Sequence, residues 1–397
     1  MMDAAAAAQA AINPLVADTG TPPIPEAQAW AARYHGGRGP LMNMSQAVPG
    51  HPPHPEFMAR LVAAAGMVES ARYGPIAGDA ALREAYAAHL TGLYGGAFDP
   101  AEVAITAGCN MAFVVTLMLL AKAGDAVLLP TPWYFNHAMS AQMLGIEPRP
   151  LPCDPAGGFM PDPEEAERLI DARTRAIVLI TPNNPTGAVY PARTIAAFAA
   201  LCRRRGLWLV LDETYRDFLP PSLERPHALF EDGATRDQVV QLYSFSKAYC
   251  IPGHRLGAVA ADAGVIAELA KILDCVQICP PRLAQPAAAW GIEALASWRE
   301  ANRLEMHRRA EAFRRTLGQS ADWQVDAIGA YFAYVRHPFQ ERAAEDVAER
   351  LAIERGVLAL PGSWFGPAQG THLRVAFGNI EVPAIESLAE RLRGFRC

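Results

Sequence analysis

Ser244-Phe245-Ser246-Lys247-Ala248-Tyr249-Cys250-Ile251-Pro252-Gly253-His254-Arg255-Leu256-Gly257 is the stretch on which the reading of this chain turns. A lysine between small hydroxyl residues, with an arginine eight positions on, is poor surface design and good aldehyde chemistry. The amine can form an imine, and the hydroxyls with Arg255 can hold a phosphate dianion, so the pair suits a phosphorylated aldehyde cofactor. Val239–Tyr243, just upstream, reads as an apolar strand, which puts Lys247 in the loop after a strand.

Upstream the same pattern recurs. Leu207–Leu211 is a continuous apolar strand that ends at Asp212-Glu213-Thr214-Tyr215, and a carboxylate there is costly unless a cation answers it. Ala176–Ile180 leads into Thr181-Pro182-Asn183-Asn184-Pro185-Thr186-Gly187, a rigid turn that presents an asparagine amide. Val103–Thr106 is followed by Ala107-Gly108-Cys109-Asn110 and a helix over Asn110–Lys122, whose free amides suit an anion. Ala126–Leu129 reads as another strand, and Asp79–Leu90, Glu164–Ile170 and Ile195–Arg205 read as helices. Short apolar strands alternating with helices predict an α/β fold with a mostly parallel sheet and chemistry at the strands' carboxyl ends.

The flanks read differently. Residues 1–30 form a loose arm, in which Thr21-Pro22-Pro23-Ile24-Pro25 is predicted to lack regular structure. A short helix fits Gln28–Tyr34, and Ser45–Pro55 is an extended loop. After Pro280-Pro281 and Pro286, a long helix is predicted over Ala287–Leu317. Tyr331–Val335, Glu345–Arg355, Val357–Leu360, Leu373–Ala376 and Ala384–Leu392 then read as strand, helix, strand, strand and helix of a smaller α+β domain. The expected division is an arm at 1–47, a large cofactor domain at 48–288 and a small domain at 289–397.

Composition narrows the classes. The 397 residues are 51% hydrophobic and 19% charged, which is ample for a large core, and the net charge of -6 disfavours a nucleic-acid partner. The seven cysteines are scattered and odd in number, which predicts reduced thiols and a cytoplasmic protein. Cys275 and Cys279 have no His or Cys companions, so no metal is expected. Met1–Ala11 lacks the basic start and leucine core of a signal peptide. Met111–Ala121 falls short of the ~20 apolar residues that a membrane crossing needs, and no DNA-binding module is expected before residue 45.

In their order, Asn-Asn-Pro-Thr-Gly (183–187), Asp-Glu-x-Tyr (212–215) and the Lys247 stretch resemble the aspartate aminotransferase family, the fold-type-I pyridoxal 5'-phosphate enzymes of class I/II. The resemblance runs from about Ser45 to Gly378. It implies a transaminase working by a ping-pong mechanism on an L-amino acid and a 2-oxo acid. A carbon–sulfur lyase or cyclising enzyme of the same fold is the alternative. Lys247 would hold the cofactor as an imine and carry the proton, and Asp212 would pair with the pyridine nitrogen. Tyr215 and Asn184 would bond the phenolic oxygen. Ser244, Ser246, Arg255 and the amides of Gly108 and Cys109, with Asn110 beside them, would hold the phosphate.

Arg374 would grip the substrate carboxylate together with Asn184 and a backbone amide near Ala47, where the family's Gly-x-Pro is replaced by Ala47-Val48-Pro49. Tyr134, with Trp133 as runner-up, would stack on the ring. Tyr73 would be lent across a homodimer with shared sites, and Arg282 is the candidate for a second substrate carboxylate.

Overall fold

The computed structural model describes residues 12–231, 236–320 and 322–397, so the alanine-rich start lies outside the described residues. In chain order the strands are β1 (Met42–Asn43), β2 (Val103–Thr106), β3 (Ala126–Thr131), β4 (Glu147–Pro152), β5 (Thr174–Ile180), β6 (Trp208–Asp212) and β7 (Val239–Ser244). They continue with β8 (Gly257–Ala260), β9 (Gln324–Gly329), β10 (Phe332–Arg336), β11 (Val357–Leu358), β12 (Leu360–Pro361) and β13 (His372–Ala376).

A seven-stranded sheet has the order β2-β8-β7-β6-β5-β3-β4. Only β8 runs against its neighbours. The central strands are apolar throughout because helices cover both faces, so no face needs polar residues. The edge strand β4, Glu-Pro-Arg-Pro-Leu-Pro, was not legible from sequence. Its three prolines are tolerated because an edge strand leaves alternate N–H groups without a ladder partner.

A four-stranded antiparallel sheet, β12-β13-β10-β9, is backed by a second core around Phe313, Leu351, Leu373 and Leu388. β1 pairs in parallel with β11, and the chain beyond β1 runs beside β13, with the Ala376 amide donating to the Met44 carbonyl.

Several sequence expectations change. The proline-rich arm holds helices at Pro14–Ala17 and Ile24–Ala32, because Pro25 sits in the first turn, where no N–H is needed. The helix expected over Ala287–Leu317 is two helices, Gln285–Ala294 and Ala296–Gly318, broken at Leu295. The strand expected at Val357–Leu360 splits between two sheets as β11 and β12. The helix expected over Glu345–Arg355 is α-helical for Ala344–Arg350 and finishes as a π turn.

Candidate active site

Six strands of the large sheet end on one edge, and β8 begins there, since Gly257 pairs with both Ser244 and Thr106. The loops after β2, β3, β5, β6 and β7 and the turn before β8 therefore converge. They enclose a cavity of about 190 Å³ lined by Cys109, Asn110, Tyr134, Ile180, Asn184, Asp212, Thr214, Tyr215, Ser244, Ser246, Lys247, Pro252 and Arg255. All of the expected cofactor residues except Gly108 and Tyr73 are among them.

Lys247 lies in the short helix Phe245–Ala248, which is capped by the Ser244 hydroxyl oxygen accepting from the Ser246 amide. Burial, and then the charges of Arg255 and Arg374, lower its ammonium pKa to about 8. Its Nζ donates to the Ala47 carbonyl at 2.6 Å. That segment thus presents a carbonyl to the lysine, where the sequence reading expected an amide for the substrate.

Asp212 is 5% exposed at the end of β6. Its Oδ1 accepts from the Thr214 amide at 3.0 Å and hydroxyl at 2.7 Å, and its Oδ2 lies 3.3 Å from His137 Nε2. Burial alone would push this carboxyl up, but His137 and Thr214 hold it below its ordinary value. His137 stacks on Phe113 at 3.7 Å. Sequence reading missed His137 and Thr214. The available signal was a histidine three positions beyond Tyr134, at the start of the helix Phe135–Met143.

Gly108 has φ 88°, and a Cβ there would collide with the Arg255 guanidinium, so only glycine lets the two approach. Its amide donates to the Thr106 carbonyl at 2.7 Å, and Gly108 itself does not line the cavity. The Cys109 and Asn110 amides open the helix Cys109–Leu120 and have no partner in its first turn. The Ser246 hydroxyl is buried without a hydrogen-bond partner among the described residues.

Arg374 on β13 comes from the small sheet. Its Nη1 donates to Asn184 Oδ1 at 3.2 Å and its Nη2 to the Ser45 carbonyl, while Nε has no partner among the described residues. Phe332 and Phe365 flank it at 5.3 and 4.9 Å. Burial lowers its pKa to about 10, which still leaves it a cation near neutrality.

Two candidates lie elsewhere in the described chain. Tyr73 is 79% exposed at the surface. Arg282 is tied to Asp79 at 3.2 Å and to the Glu69 carbonyl, and it does not line the cavity.

These donors fit pyridoxal 5'-phosphate. A buried carboxylate and an imine-forming amine line the same cavity. An orphaned hydroxyl, a guanidinium and the residues whose amides open a helix line it too, the kinds of donor that a phosphate requires.

A family model described as aminotransferase class I and II matches residues 40–392. An aromatic aminotransferase of Arabidopsis thaliana is 30% identical over 328 residues, 81% of each chain. The aspartate/prephenate aminotransferase of Thermus thermophilus is 31% identical over 366 residues, 87% of this chain and 86% of that one. The solved structure of a Thermus thermophilus aspartate aminotransferase double mutant superposes with a TM-score of 0.89 at 25% identity, over 96% of this chain and 99% of that one.

Proposed function

We propose, from the premise that the chain belongs to the class I and II aminotransferases, a division of labour among the residues of its cavity. The fold is aspartate aminotransferase-like, the cofactor is pyridoxal 5'-phosphate and the activity is transamination. The carbon–sulfur lyase alternative is not favoured. The observation that carries the division is that Lys247 and the buried Asp212 line one cavity, with Arg374 delivered from the second sheet onto Asn184.

Bound cofactor supplies an electron sink for the pair left behind when the substrate Cα loses its proton. Lys247 takes that proton as the free amine, a form that its lowered pKa makes abundant near pH 8. Asp212, kept ionised by His137 and Thr214, holds the proton on the ring nitrogen. Tyr215 and the Asn184 amide nitrogen donate to the phenolic oxygen, since Asn184 Oδ1 is occupied by Arg374. Arg255, Ser244, Ser246 and the Cys109 and Asn110 amides bind the phosphate. Tyr134 would stack on the cofactor ring, and Arg374 would orient the carboxylate of the amino or 2-oxo acid. The ping-pong exchange follows because both acids use the same arginine.

We further propose a homodimer with shared sites. Tyr73 is exposed among Val62, Met67 and Val68, at 72, 54 and 65% exposure, which is much apolar surface for one region of a lone chain. The proposed division is an arm (1–47), a large domain (48–288) and a small domain (289–397); two separate cores support a large and a small unit, with Ile292 and Leu295 packing in the large one. A reducing, cytoplasmic compartment suits seven free cysteines. No described helix is long and apolar enough to cross a membrane.

Arg282 is engaged by Asp79, so its geometry does not support a strict preference for acidic donors. A screen of amino acids against 2-oxoglutarate, pyruvate and oxaloacetate tests the reading. Reversible bleaching of the cofactor band by one donor, restored by a 2-oxo acid, is expected. Release of ammonia and pyruvate without an acceptor would overturn it.

A further inference from the structure

The segment that carries Asp212 and Tyr215 into the catalytic cavity also places Glu213 and Arg216 in a different buried environment. Arg216 is 4% exposed, with its guanidinium over the Tyr243 ring at 4.1 Å. None of its three side-chain nitrogens has a hydrogen-bond partner among the described residues. Its nearest acid is Glu213 at 3.8 Å, beyond hydrogen-bond reach. Glu213 Oε2 already accepts from the Tyr94 hydroxyl and from the Gln241 amide at 2.8 Å, and its Oε1 lies 3.0 Å from His227 Nε2. A buried guanidinium without hydrogen bonds is costly, and native interiors satisfy such groups with protein, water or an ion.

Arg216 lines a second cavity of about 240 Å³, separate from the catalytic one, together with Arg299, Arg303 and His89. Two of the three acids beside them are committed. Asp217 accepts from Arg299 at 2.8 Å and from the Tyr243 hydroxyl at 2.7 Å. Glu300 takes the fork of Arg303 at 2.7 and 2.8 Å, and Glu224 is exposed. Arg299 Nε is a further buried donor without a partner among the described residues. Burial, and then the charges of Arg216 and Arg299, push His89 down to about 3, so it faces the cavity as a neutral ring. Arg216 is therefore the cation whose hydrogen-bond donors are unused among the described residues, and its planar fork matches a carboxylate or phosphate edge.

We propose that this cavity binds one small oxyanion, a carboxylate or a phosphate, anchored by Arg216 and closed over by Arg299 and Arg303. Because Arg216 follows Tyr215 directly, such a ligand acts on the segment that carries two of the catalytic side chains.

The test uses holoenzyme carrying Arg374→Gln, so that carboxylates no longer register at the substrate site. Inorganic phosphate and succinate are titrated separately by calorimetry, and the tighter of the two names the source of the anion. One site per chain is expected, with at least a tenfold loss of affinity on Arg303→Gln, which removes a cation and frees Glu300. The His89 ring titration should move to higher pH when the anion is bound. Arg216→Gln should abolish binding. If that buried change prevents folding, the partly exposed Arg303→Gln decides the matter alone. No saturable binding tighter than about 1 mM, or binding indifferent to Arg303→Gln, would overturn the proposal.

Discussion

Asp212 and Glu213 are neighbours in sequence, both buried and both held below their ordinary pKa, yet they sit among unlike partners. Asp212 lines a cavity whose other charged groups, Lys247 and Arg255, keep donors for something not of the chain. Glu213 is enclosed by Tyr94, Gln241, His227 and Arg216, with its side chain wholly inaccessible. Burial penalises both carboxylates, and in both cases nearby donors outweigh it. The two environments teach what separates a working charge from a structural one. The structural charge is enclosed by protein donors, whereas the working charge is held ionised by two neighbours and still faces open volume.

The sharpest way to break the catalytic side is Lys247→Ala. Loss of the imine-forming and proton-carrying amine should lower transamination by roughly 10⁴-fold or more. Mass spectrometry after borohydride reduction should find no cofactor attached to the chain, while circular dichroism shows the fold retained. On the structural side, Glu213→Gln removes the counter-charge closest to Arg216. It should cost about 3–5 kcal/mol of unfolding free energy, measured by urea denaturation. The folded fraction should keep most of its kcat. A large kcat loss with unchanged stability would mean that Glu213 belongs to the chemistry.

Much of the catalytic side was legible in the sequence because its residues come in contiguous pieces. Lys247, Asp212, Asn184 and Arg255 each sit in or beside the loop that follows or precedes an apolar strand, and a parallel sheet brings those loops to one edge. What the sequence left out depends on register and on helix direction. His137 reaches Asp212 only because the helix after Tyr134 turns it inward, and its spacing of three from Tyr134 was the sole mark of that turn. The antiparallel β8, Gly-Ala-Val-Ala, is too small and short to stand out, yet it delivers Arg255 to the phosphate end. Glu213 lies inside the Asp-Glu-x-Tyr motif with no role assigned to it, and Arg216 directly follows the motif. Their burial is a tertiary fact, set by aromatic rings contributed from residues 86, 94 and 243.

Arg374 tests where the catalytic side ends. It comes from the other sheet, and its contacts to Asn184 and Ser45 tie the two together. Arg374→Gln loses charge-assisted bonds to the substrate carboxylate, worth about 1.5–3 kcal/mol. The expected result is a fall of roughly 10²-fold in kcat/KM for both amino donor and 2-oxo acid, carried mainly by KM. The change in unfolding free energy should be smaller than for Glu213→Gln, because removing a desolvated cation offsets the lost contacts. Equal losses in both measurements would make Arg374 a structural tie instead of a substrate grip.

The smallest expected effect concerns the lysine's own charge. Burial, Arg255 and Arg374 all disfavour the ammonium form, so its pKa falls to about 8 and the neutral amine gains with rising pH. In cofactor-stripped enzyme, acylation of Lys247 should therefore rise through a midpoint near pH 8. There, about half the amine is free, against roughly 0.4% for an unperturbed lysine near 10.4. Arg255→Gln removes one of the two cations that act against protonation, so the midpoint should move to higher pH. The movement should be partial, because burial is the larger cause and the substitution leaves it in place. A midpoint unmoved by Arg255→Gln would assign the depression to desolvation and Arg374, and Arg255 would then serve the phosphate without tuning the amine.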